Sequence, residues 1–506
     1  MNRRTFLSGL TASALTARFG LAANGKPWNI LMMFSDDHAW QAISAYGGKL
    51  LKTPHIDRIG LEGMRFDNCL VTNSICAPSR AVVLTGKHSH KNGVIDNRAV
   101  FDGSQQTFPK LLQAAGYQTA MIGKWHLKTD PTGFDHWEVL PGQGDYYNPH
   151  FLTPGGRHQR EGYVTNIIGD LTLDWLKNGR DPNKPFLLFS QQKAPHRNWM
   201  PAPDKLWHFR GETLPEPETL FDDYSTRARP AHEQEMEIDR HMKWHNDLKV
   251  PEWADRSMFP DGSRQMGLLT EEQQRQWDAA YGPANEKLLK ENPQGRDLVR
   301  WKYQRYVKDY LRCISSVDDN VGRVLSYLDE AGLAENTLVV YSSDQGFYLG
   351  EHGWFDKRWI YDESLRTPLL MRMPGVIAPG SSNRHLVSNL DVAQTFLEVA
   401  GQPQPSDMQG ASMLPLMKGE RPADWRRSFY YHYYEKGEHN VPPHDGLRTQ
   451  RFTFVHFYES DEWELFDNTR DPHQINNVYA DDAYRKTVEE LKAELLRLRK
   501  HYGVDS

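Results

Sequence analysis

Residues 76–80 have the sequence Cys-Ala-Pro-Ser-Arg, which places a thiol, a hydroxyl and a permanent cation close together along the chain. Pro78 and Ser79 favour the first turn of a helix, where a missing amide hydrogen costs nothing and a hydroxyl can cap the helix. We therefore expect Cys76 at the positive end of a helix dipole, where anions bind readily. Arg80 adds a charge that does not titrate. The stretch predicts a nucleophile beside an anion site, and the simpler alternative is a buried cysteine in a capping turn.

Acidic and amide side chains follow two segments that we expect to be buried strands. Asp36 and Asp37 come directly after the apolar run 28–34, and Asp344 and Gln345 follow another such strand. Adjacent acids at the carboxyl end of a buried strand are costly unless a cation neutralises them, and this edge of an open α/β sheet is where ligands bind. Three carboxylates and one amide suit one hard divalent cation, Ca²⁺ or Mg²⁺. A two-zinc site would require more histidines here.

Basic side chains follow two further predicted strands. Lys124 and His126 come after the strand 117–122, and their spacing of two places them on one face of an extended segment. His196 follows the apolar strand 185–190. An isolated lysine or histidine is usually a solvated surface group. At the carboxyl ends of neighbouring strands, however, these residues are expected beside the acids.

Buried-strand patterns alternate with helical patterns along the chain, which predicts an α/β fold. The segment 301–328 carries apolar residues on one side of a helix. Residues 128–165 are rich in Gly, Pro, Tyr and His and predict a loop. Near the end of the chain, aromatic-rich segments predict antiparallel strands, and residues 482–502 predict an amphipathic helix. These last elements form a smaller α+β unit, with strands expected at 429–434, 452–457 and 463–466.

The chain has 506 residues, which is long for one hydrophobic core and predicts a large domain with a smaller one. We expect the large domain over residues 24–404, with a polar insertion at about 197–300 that caps the sheet. The smaller C-terminal unit is expected over residues 405–506. Residues 1–23 are expected to be a removable leader.

Arg3 and Arg4 precede a mildly apolar run, which predicts a twin-arginine export signal. Removal of residues 1–23 deletes three arginines and no acid, so the net charge changes from −6 to −9. Such an acidic protein is not expected to bind nucleic acid. No apolar stretch reaches the ~18 residues that a membrane span requires.

Three cysteines occur, at positions 69, 76 and 313, so the chain is not a disulfide scaffold. Cys69 and Cys313 are either small buried apolar groups or partners in one bridge. Buried and free is the simpler interpretation.

The longer pattern over residues 76–86, Cys-x-Pro-Ser-Arg-x-x-x-Leu-Thr-Gly, resembles the signature of the type I, formylglycine-dependent sulfatases. The resemblance extends from Trp28 to the end of the chain and is least specific in the insertion. It implies an alkaline-phosphatase-like fold, in which helices sandwich a large mixed sheet. It also implies a sulfuric ester hydrolase whose Cys76 is oxidised to formylglycine (3-oxoalanine). The partner for that step would be a formylglycine-generating or radical sulfatase-maturing enzyme.

The resemblance implies a metal site with one Ca²⁺ per chain. Its ligands would be Asp36, Asp37, Asp344, Gln345 and the oxidised side chain of Cys76. Family members often carry Asn or His where this chain has Gln345, so this residue departs from the pattern. Asp37 is also a candidate base for the nucleophile.

The resemblance also implies roles for the basic residues. Arg80, Lys124 and Lys357 would hold the oxygens of the sulfate. His196 would protonate the departing hydroxyl, and His126 would deprotonate the second hydroxyl of the formylglycine hydrate to expel sulfate. The sequence leaves open whether the two histidines exchange these roles.

The closest likeness is to bacterial N-acetylglucosamine-6-O-sulfatases and related exo-acting glycosaminoglycan sulfatases. A sulfated saccharide is thus the expected substrate, and a periplasmic or secreted bacterial protein exported by the Tat translocon is the expected setting. The alternatives are a sulfatase for uronic acid or algal polysaccharides, a phosphonate or phosphodiester hydrolase of the same superfamily, and an inactive glycan-binding relic. The candidate sugar contacts, for which packing or surface exposure is an equal alternative, are Trp199, Trp359, His439, His444 and Arg448.

Overall fold

The computed structural model of the protein describes residues 22–23 and 26–504. The predicted leader over residues 1–23 lies outside the described residues, apart from the last two. These form β1 (Ala22–Ala23), which pairs with β2 (Lys26–Pro27). Among the described residues, no helix combines the length and apolar character needed to cross a membrane.

Ten strands form one mixed sheet, with five parallel strands in its middle. Their order across the sheet is β16-β4-β15-β11-β3-β10-β6-β7-β8-β9. The strands are β3 (Asn29–Ser35), β4 (Met64–Phe66), β6 (Gln118–Lys124), β7 (His136–Leu140), β8 (His150–Thr153), β9 (Gly156–Gln159), β10 (Phe186–Gln191), β11 (Thr337–Ser343), β15 (Leu369–Arg372) and β16 (Ser381–Asn383).

Helices cover both faces of this sheet because its central strands are apolar on both sides. All residues of β3 are buried, with Leu31 and Met33 in one core cluster and Ile30 and Met32 in the other. The helices are α1 (Pro54–Leu61), α2 (Cys76–Thr85), α3 (Ser89–Asn92), α4 (Phe108–Ala114), α5 (Val164–Asp174), α6 (Arg229–Glu233), α7 (Glu271–Glu291), α8 (Gly295–Glu330), α9 (Asp362–Leu365), α10 (Val392–Val399), α11 (Leu414–Met417) and α12 (Arg485–Tyr502). The first cluster packs under α5 and α8, and the second packs under α2, α4 and α10.

A four-stranded antiparallel sheet and α12 form the C-terminal part of the chain. Leu447 and Phe454 on one face of this sheet pack with Leu491 and Leu495 of α12. The strands are β18 (Ser428–Tyr433), β19 (His444–Thr449), β20 (Phe452–Phe457) and β21 (Glu462–Asp467). The remaining strands form two small sheets: β5 (Cys69–Leu70) with β14 (Arg366–Thr367) and β17 (Val387–Ser388), and β12 (Tyr348–Leu349) with β13 (Phe355–Asp356).

The predicted α/β class, with a mixed sheet and a C-terminal antiparallel sheet plus helix, is confirmed. The predicted loop at 128–165 is wrong in part, because β7, β8 and β9 extend the main sheet there. β7 pairs with β6, β8 with β7 and β9 with β8, and the local composition does not reveal this attachment to β6. The insertion at 197–300 contributes Trp244 and Trp277 to the same core cluster as α8, so it does more than cover the sheet. The domain limits at 24, 404 and 405 stay predictions.

Cys69 and Cys313 are both free and buried, as predicted. They lie in different core clusters, Cys69 in the second and Cys313 in the first.

Gly123 allows β6 to approach β10 immediately before Lys124. Its φ is +100°, and a Cβ at this position would lie 1.9 Å from the carbonyl oxygen of Gln191. Because that oxygen belongs to the backbone of β10, relieving the clash would require the two strands to separate. We expect Gly123→Ala to lower the free energy of unfolding by about 3 kcal/mol or more, measured by chemical denaturation.

Gly116→Ala is the matched control. Gly116 also has a positive φ, +92°, but no atom lies within 4 Å of the added Cβ. Its substitution should cost only the backbone strain, about 1–2 kcal/mol. Equal losses for the two variants would show that the contact between the strands is unimportant.

Candidate functional site

Three aspartates meet where the central parallel strands end. Asp36 and Asp37 follow β3, and Asp344 follows β11, its parallel neighbour. One carboxylate oxygen from each aspartate lies within 4.8 Å of the others, and all three side chains are fully buried. Parallel pairing brings these residues to one edge of the sheet, and their burial makes a cation necessary.

Cys76 is the first residue of α2 and points into the same place. Its Sγ lies 3.7 Å from Nζ of Lys357 and 3.9 Å from Nε2 of Gln345. Ligand atoms of Cys76, Asp36 and His196 also lie within 4.8 Å of one another. The thiol is completely buried, and burial raises the pKa of Cys76 well above its ordinary value. In this environment the unmodified thiol is protonated and a poor nucleophile.

Ser79 does not cap α2 as the sequence suggests. The residue before the helix is Ile75, whose side chain makes no capping bond. Ser79 lies inside the first turn, where its hydroxyl donates to the carbonyl of Asp344 and accepts a 2.9 Å hydrogen bond from Nδ2 of Asn389. The hydroxyl therefore fixes the helix to the end of β11.

Each of the three aspartates is paired with at least one cation, and Asp36 also lies 3.5 Å from Nη2 of Arg80 through its Oδ1. Lys357 Nζ lies 2.6 Å from both carboxylate oxygens of Asp37, and Arg80 Nη2 lies 2.8 Å from Oδ2 of Asp344. The third pair joins Lys124 to Asp36. These six residues are named the charge cluster: Asp36, Asp37, Asp344, Arg80, Lys124 and Lys357. With all six ionised, its charges cancel.

The donor set of the charge cluster fits a hard divalent cation. Oδ1 of Asp36 and Oε1 of Gln345 are buried without a hydrogen-bond partner, and further oxygens come from Asp37 and Asp344. Oxygen donors of this kind suit Ca²⁺. A divalent ion would leave the otherwise neutral cluster with a net positive charge, which attracts an anionic substrate.

Burial and neighbouring charges shift the carboxylate pKa values in different directions. Burial opposes ionisation of Asp36, but Lys124, with help from nearby basic groups, outweighs burial and holds the pKa of Asp36 well below its usual range. Burial raises the pKa of Asp37 to about 7, although Lys357 works against it. Burial and the charge of Asp36 together raise the pKa of Asp344 to about 6.

The two histidines lie beside the charge cluster as neutral groups. Nδ1 of His196 lies 2.6 Å from the carbonyl oxygen of Arg197 and must donate to it, because a carbonyl oxygen only accepts. The other ring nitrogen, Nε2, lies 3.8 Å from Oδ2 of Asp37. Burial lowers the pKa of His196 and of His126 well below the ordinary value. His126 has φ +57°, so it does not continue the extended segment of Lys124. A bound anion would raise the pKa of either imidazole.

Several residues that support the site carry little signal in the sequence. Gln191, at the end of β10, accepts a hydrogen bond from Arg80, and Gln143 accepts one from Lys124 at 2.5 Å. The hydroxyl of Tyr310 on α8 donates to the carbonyl of Asp37 at 2.6 Å. The position of Gln191 at a strand end is the one feature that could have indicated it.

Four of the five candidate sugar contacts are not brought to an accessible site. Trp199 packs against Tyr306 in the core, and Trp359 and His444 pack on each other. Arg448 is buried in a salt bridge with Asp362. The rings and guanidinium have the types that bind sugars, but packing already uses their surfaces.

His439 lies differently from the other candidates. Its Nε2 is 2.7 Å from Oδ2 of Asp356, the residue before Lys357. Arg358 also lies near this carboxylate, 3.6 Å from Oδ2 through its Nε. A polar group of three side chains thus adjoins the charge cluster.

The chain matches known families and proteins over most of its length. The Sulfatase family model matches residues 28–402, and the model for the C-terminal part of N-sulphoglucosamine sulphohydrolase matches residues 350–501. An N-acetylglucosamine-6-O-sulfatase of Bacteroides thetaiotaomicron is 49% identical over 94% of this chain and 86% of its own. The human N-acetylglucosamine-6-sulfatase is 27% identical over 84% of this chain and 70% of its own.

A solved structure of a complex with the substrate D-glucosamine-2-N,6-O-disulfate superposes with a TM-score of 0.92. Its sequence identity to this chain is 48%, and the match covers 95% of this chain and 99% of the other.

The pKa values of Asp37 and Asp344 predict how calcium affects stability at different pH. Both lie above the value of about 4 expected in the unfolded chain, so without the ion the folded protein holds more protons. Its stability should therefore fall as the pH rises through about 4 to 7. A calcium ion bound to these carboxylates would relieve this cost, so the rise in Tm on adding calcium should be larger at pH 8 than at pH 5. Thermal scans of chelator-treated protein with and without calcium measure it.

Asp344→Asn is the control variant, since it removes one carboxylate from the cluster. Its Tm should respond less to calcium at both pH values. A calcium effect in the parent that is absent, or equal at the two pH values, would contradict a metal site at these carboxylates.

Proposed function

The chain belongs to the sulfatase family, and from this premise we propose that it removes the 6-O-sulfate from N-acetylglucosamine-type residues of sulfated glycans. The observation that carries the proposal is Cys76 at the first turn of α2, held against Lys357 and three paired aspartates. The 49% identity to an N-acetylglucosamine-6-O-sulfatase over 94% of the chain supports the choice of sugar.

We propose that Cys76 is the precursor of the nucleophile. The buried thiol has a raised pKa, so it is unsuited to attack sulfur itself. Oxidised to formylglycine, the side chain would supply a hydrate as the nucleophile. Arg80 lies one turn away on α2, and Lys357 contacts Sγ directly, so both are placed to bind sulfate oxygens beside it. Fixed cations stabilise the charge that develops during sulfuryl transfer.

Asp36, Asp37, Asp344 and Gln345 would hold one Ca²⁺. The ion would withdraw charge from the sulfate oxygens. The chain itself holds these donors in place. Arg80 donates to Asp344 from two nitrogens, and Nζ of Lys357 donates to both carboxylate oxygens of Asp37.

His196 and His126 are the proposed proton carriers. In the free protein the proton of His196 is on Nδ1, which donates to a carbonyl, so Nε2 is an acceptor facing the cluster. A bound sulfate ester adds negative charge and raises the pKa of Nε2, which takes up a proton from solvent and then transfers it to the departing sugar oxygen, releasing the sugar as an alcohol. Nδ1 of His126 is buried without a hydrogen-bond partner. This histidine would deprotonate the second hydroxyl of the formylglycine hydrate, and loss of that proton would expel sulfate.

Asp356, Arg358 and His439 are proposed to bind the sugar. Arg358, Lys357 and His439 together outweigh the burial that would otherwise raise the pKa of Asp356, and they hold that pKa well below its ordinary range. An ionised carboxylate next to Lys357 can accept hydrogen bonds from sugar hydroxyls. This polar group then selects the sugar while Lys357 binds its sulfate.

The paired arginines at positions 3 and 4 support export by the Tat translocon to the periplasm. That route carries folded proteins, so a sulfatase-maturing enzyme would have to oxidise Cys76 in the cytoplasm first. A protein with Arg3→Lys and Arg4→Lys should therefore stay in the cytoplasm and carry the aldehyde at Cys76, as measured by peptide mass spectrometry. An unmodified thiol in that pool, with aldehyde in the exported pool alone, would contradict this order.

A panel of sulfated sugars tests the proposed reaction. The protein should release sulfate from N-acetylglucosamine 6-sulfate, and at least about 100-fold more slowly from the 3-sulfate, because the leaving oxygen would no longer reach His196. Faster turnover of phosphate or phosphonate esters than of sulfate esters would contradict the assignment.

Cys76→Ala and Cys69→Ala form a matched pair for this assay. Both residues are buried cysteines, but Cys69 lies in β5 within the second core cluster. Cys76→Ala should lower kcat by at least about 1,000-fold, as expected when a covalent nucleophile is removed. Cys69→Ala should keep kcat within about twofold while losing some stability. Residual turnover by Cys76→Ala close to that of the parent would remove the nucleophile from the proposal.

A further inference from the structure

An open cavity of about 370 Å³ lies between α7, α8 and residues 206–211. It is on the far side of α8 from the charge cluster. Tyr310 faces Asp37, whereas Arg305 and Lys308 line the cavity from the opposite side of the helix. This cavity is named the α7–α8 cavity. Its size is in the range of small-ligand sites.

The cavity is strongly cationic within a protein of net charge −6. Four basic side chains line it, and among the described lining residues none carries a carboxylate: the four are Arg210, Arg305, Lys308 and Arg312. Arg312 is paired with Asp309, which lies at 2.7 Å. Within residues 26–504, the other three have no carboxylate partner within salt-bridge distance.

Two of these three cations donate hydrogen bonds to neutral acceptors, although the carboxylates of Asp309 and Glu212 act on them from beyond salt-bridge distance. Arg305 donates to the carbonyl of Leu248 at 3.2 Å and to Oδ1 of Asn285 at 3.0 Å. Lys308 donates to the carbonyl of Glu212. Burial lowers the pKa of both side chains. A nearby anion would relieve this cost.

Aromatic rings lie against two of these arginines. The guanidinium of Arg305 lies over Trp301 and Tyr281, at 4.9 Å from each ring centre, and that of Arg210 lies 4.7 Å from the ring of Trp207. Arg305 already donates from both Nη atoms to Leu248 and Asn285, whereas the N–H groups of Arg210 remain available for a planar or tetrahedral anion. Trp207 is 44% exposed, so an apolar surface lies at the cavity rim for the face of a sugar ring.

A proline in α7 adds a hydrogen-bond acceptor to the cavity wall. Pro283 lies inside the helix and has no amide hydrogen, so the carbonyl of Ala279 lacks its helical donor. Both residues line the cavity. A hydroxyl group of a ligand can donate to this carbonyl.

We propose that the α7–α8 cavity is a second, non-catalytic binding site for a sugar residue that carries a sulfate or carboxylate group. Arg210, Arg305 and Lys308 bind the anionic group, the exposed tryptophan contacts the ring, and the carbonyl in α7 accepts a hydroxyl. The class of ligand rests on the proposed function, since the substrate of a glycan sulfatase consists of such residues. The site itself rests on the cavity alone.

Isothermal titration calorimetry on the full chain with Cys76→Ala tests the proposal, since this variant should bind substrate without turning it over. N-acetylglucosamine 6-sulfate, glucuronic acid and inorganic sulfate are the probes. We expect two molecules of the sulfated sugar per chain, one at each site. Adding Arg210→Glu and Lys308→Glu should remove one of the two, with affinity at the cavity falling by roughly tenfold or more for each charged hydrogen bond lost.

The matched control reverses two exposed charges on α7, Lys287→Glu and Lys290→Glu, which changes the net charge equally without touching the cavity. It should still bind two molecules. The variant with Arg210→Glu and Lys308→Glu is named the rim variant. If the rim variant unfolds, as monitored by its Tm, Arg210→Gln with Lys308→Gln replaces it and should show the same loss.

Failure of this proposal and failure of the proposed function give different results. If the catalytic site binds no sugar, the Cys76→Ala protein binds one molecule and the rim variant binds none. Equal stoichiometry and affinity in the rim variant and its parent would overturn the cavity site. Sulfate binding as tightly as either sugar would overturn the saccharide assignment. The affinities of the sulfated sugar and glucuronic acid decide whether a sulfate or a carboxylate residue is the preferred occupant.

Discussion

The mutual repulsion of three buried carboxylates is the constraint on which the rest of the site depends. Asp36, Asp37 and Asp344 lie within 4.8 Å of one another without access to water. Like charges at this distance in a medium of low dielectric constant are unfavourable by several kcal/mol unless cations are close. Lys124, Arg80 and Lys357 are therefore necessary for the fold as well as for any chemistry.

The same requirement explains how the surrounding elements are arranged. Arg80 can reach Asp344 because α2 begins at Cys76 and is fixed to the end of β11 through Ser79. This anchoring also holds Cys76 against Lys357. The position of the nucleophile and the neutrality of the cluster are thus consequences of one set of contacts. A divalent ion bound there converts a neutral centre into one that attracts an anion.

The cations of the α7–α8 cavity are neutralised less completely than those of the charge cluster. In the charge cluster every cation is neutralised by an aspartate, whereas three of the four cavity cations have only neutral partners in the part of the chain that the structure describes. Burial lowers the pKa of Arg305, and the nearby carboxylate of Asp309 offsets only part of this effect. Such unbalanced charge on one side of α8 is costly in the free protein and is repaid when an anion binds.

The sequence by itself determined the fold class, the sulfatase resemblance and all six residues of the charge cluster, with Lys357 named through the resemblance. Short-range signals suffice for these: an apolar run followed by Asp36 and Asp37, or Cys76 at the start of a helix. Only the tertiary structure decided which charges pair, because the partners are 88 to 320 residues apart along the chain. It also decided that Trp199 is core, since burial depends on packing against distant elements such as α8. The α7–α8 cavity likewise forms where three segments that are separate in sequence meet, so no local sequence pattern predicts it.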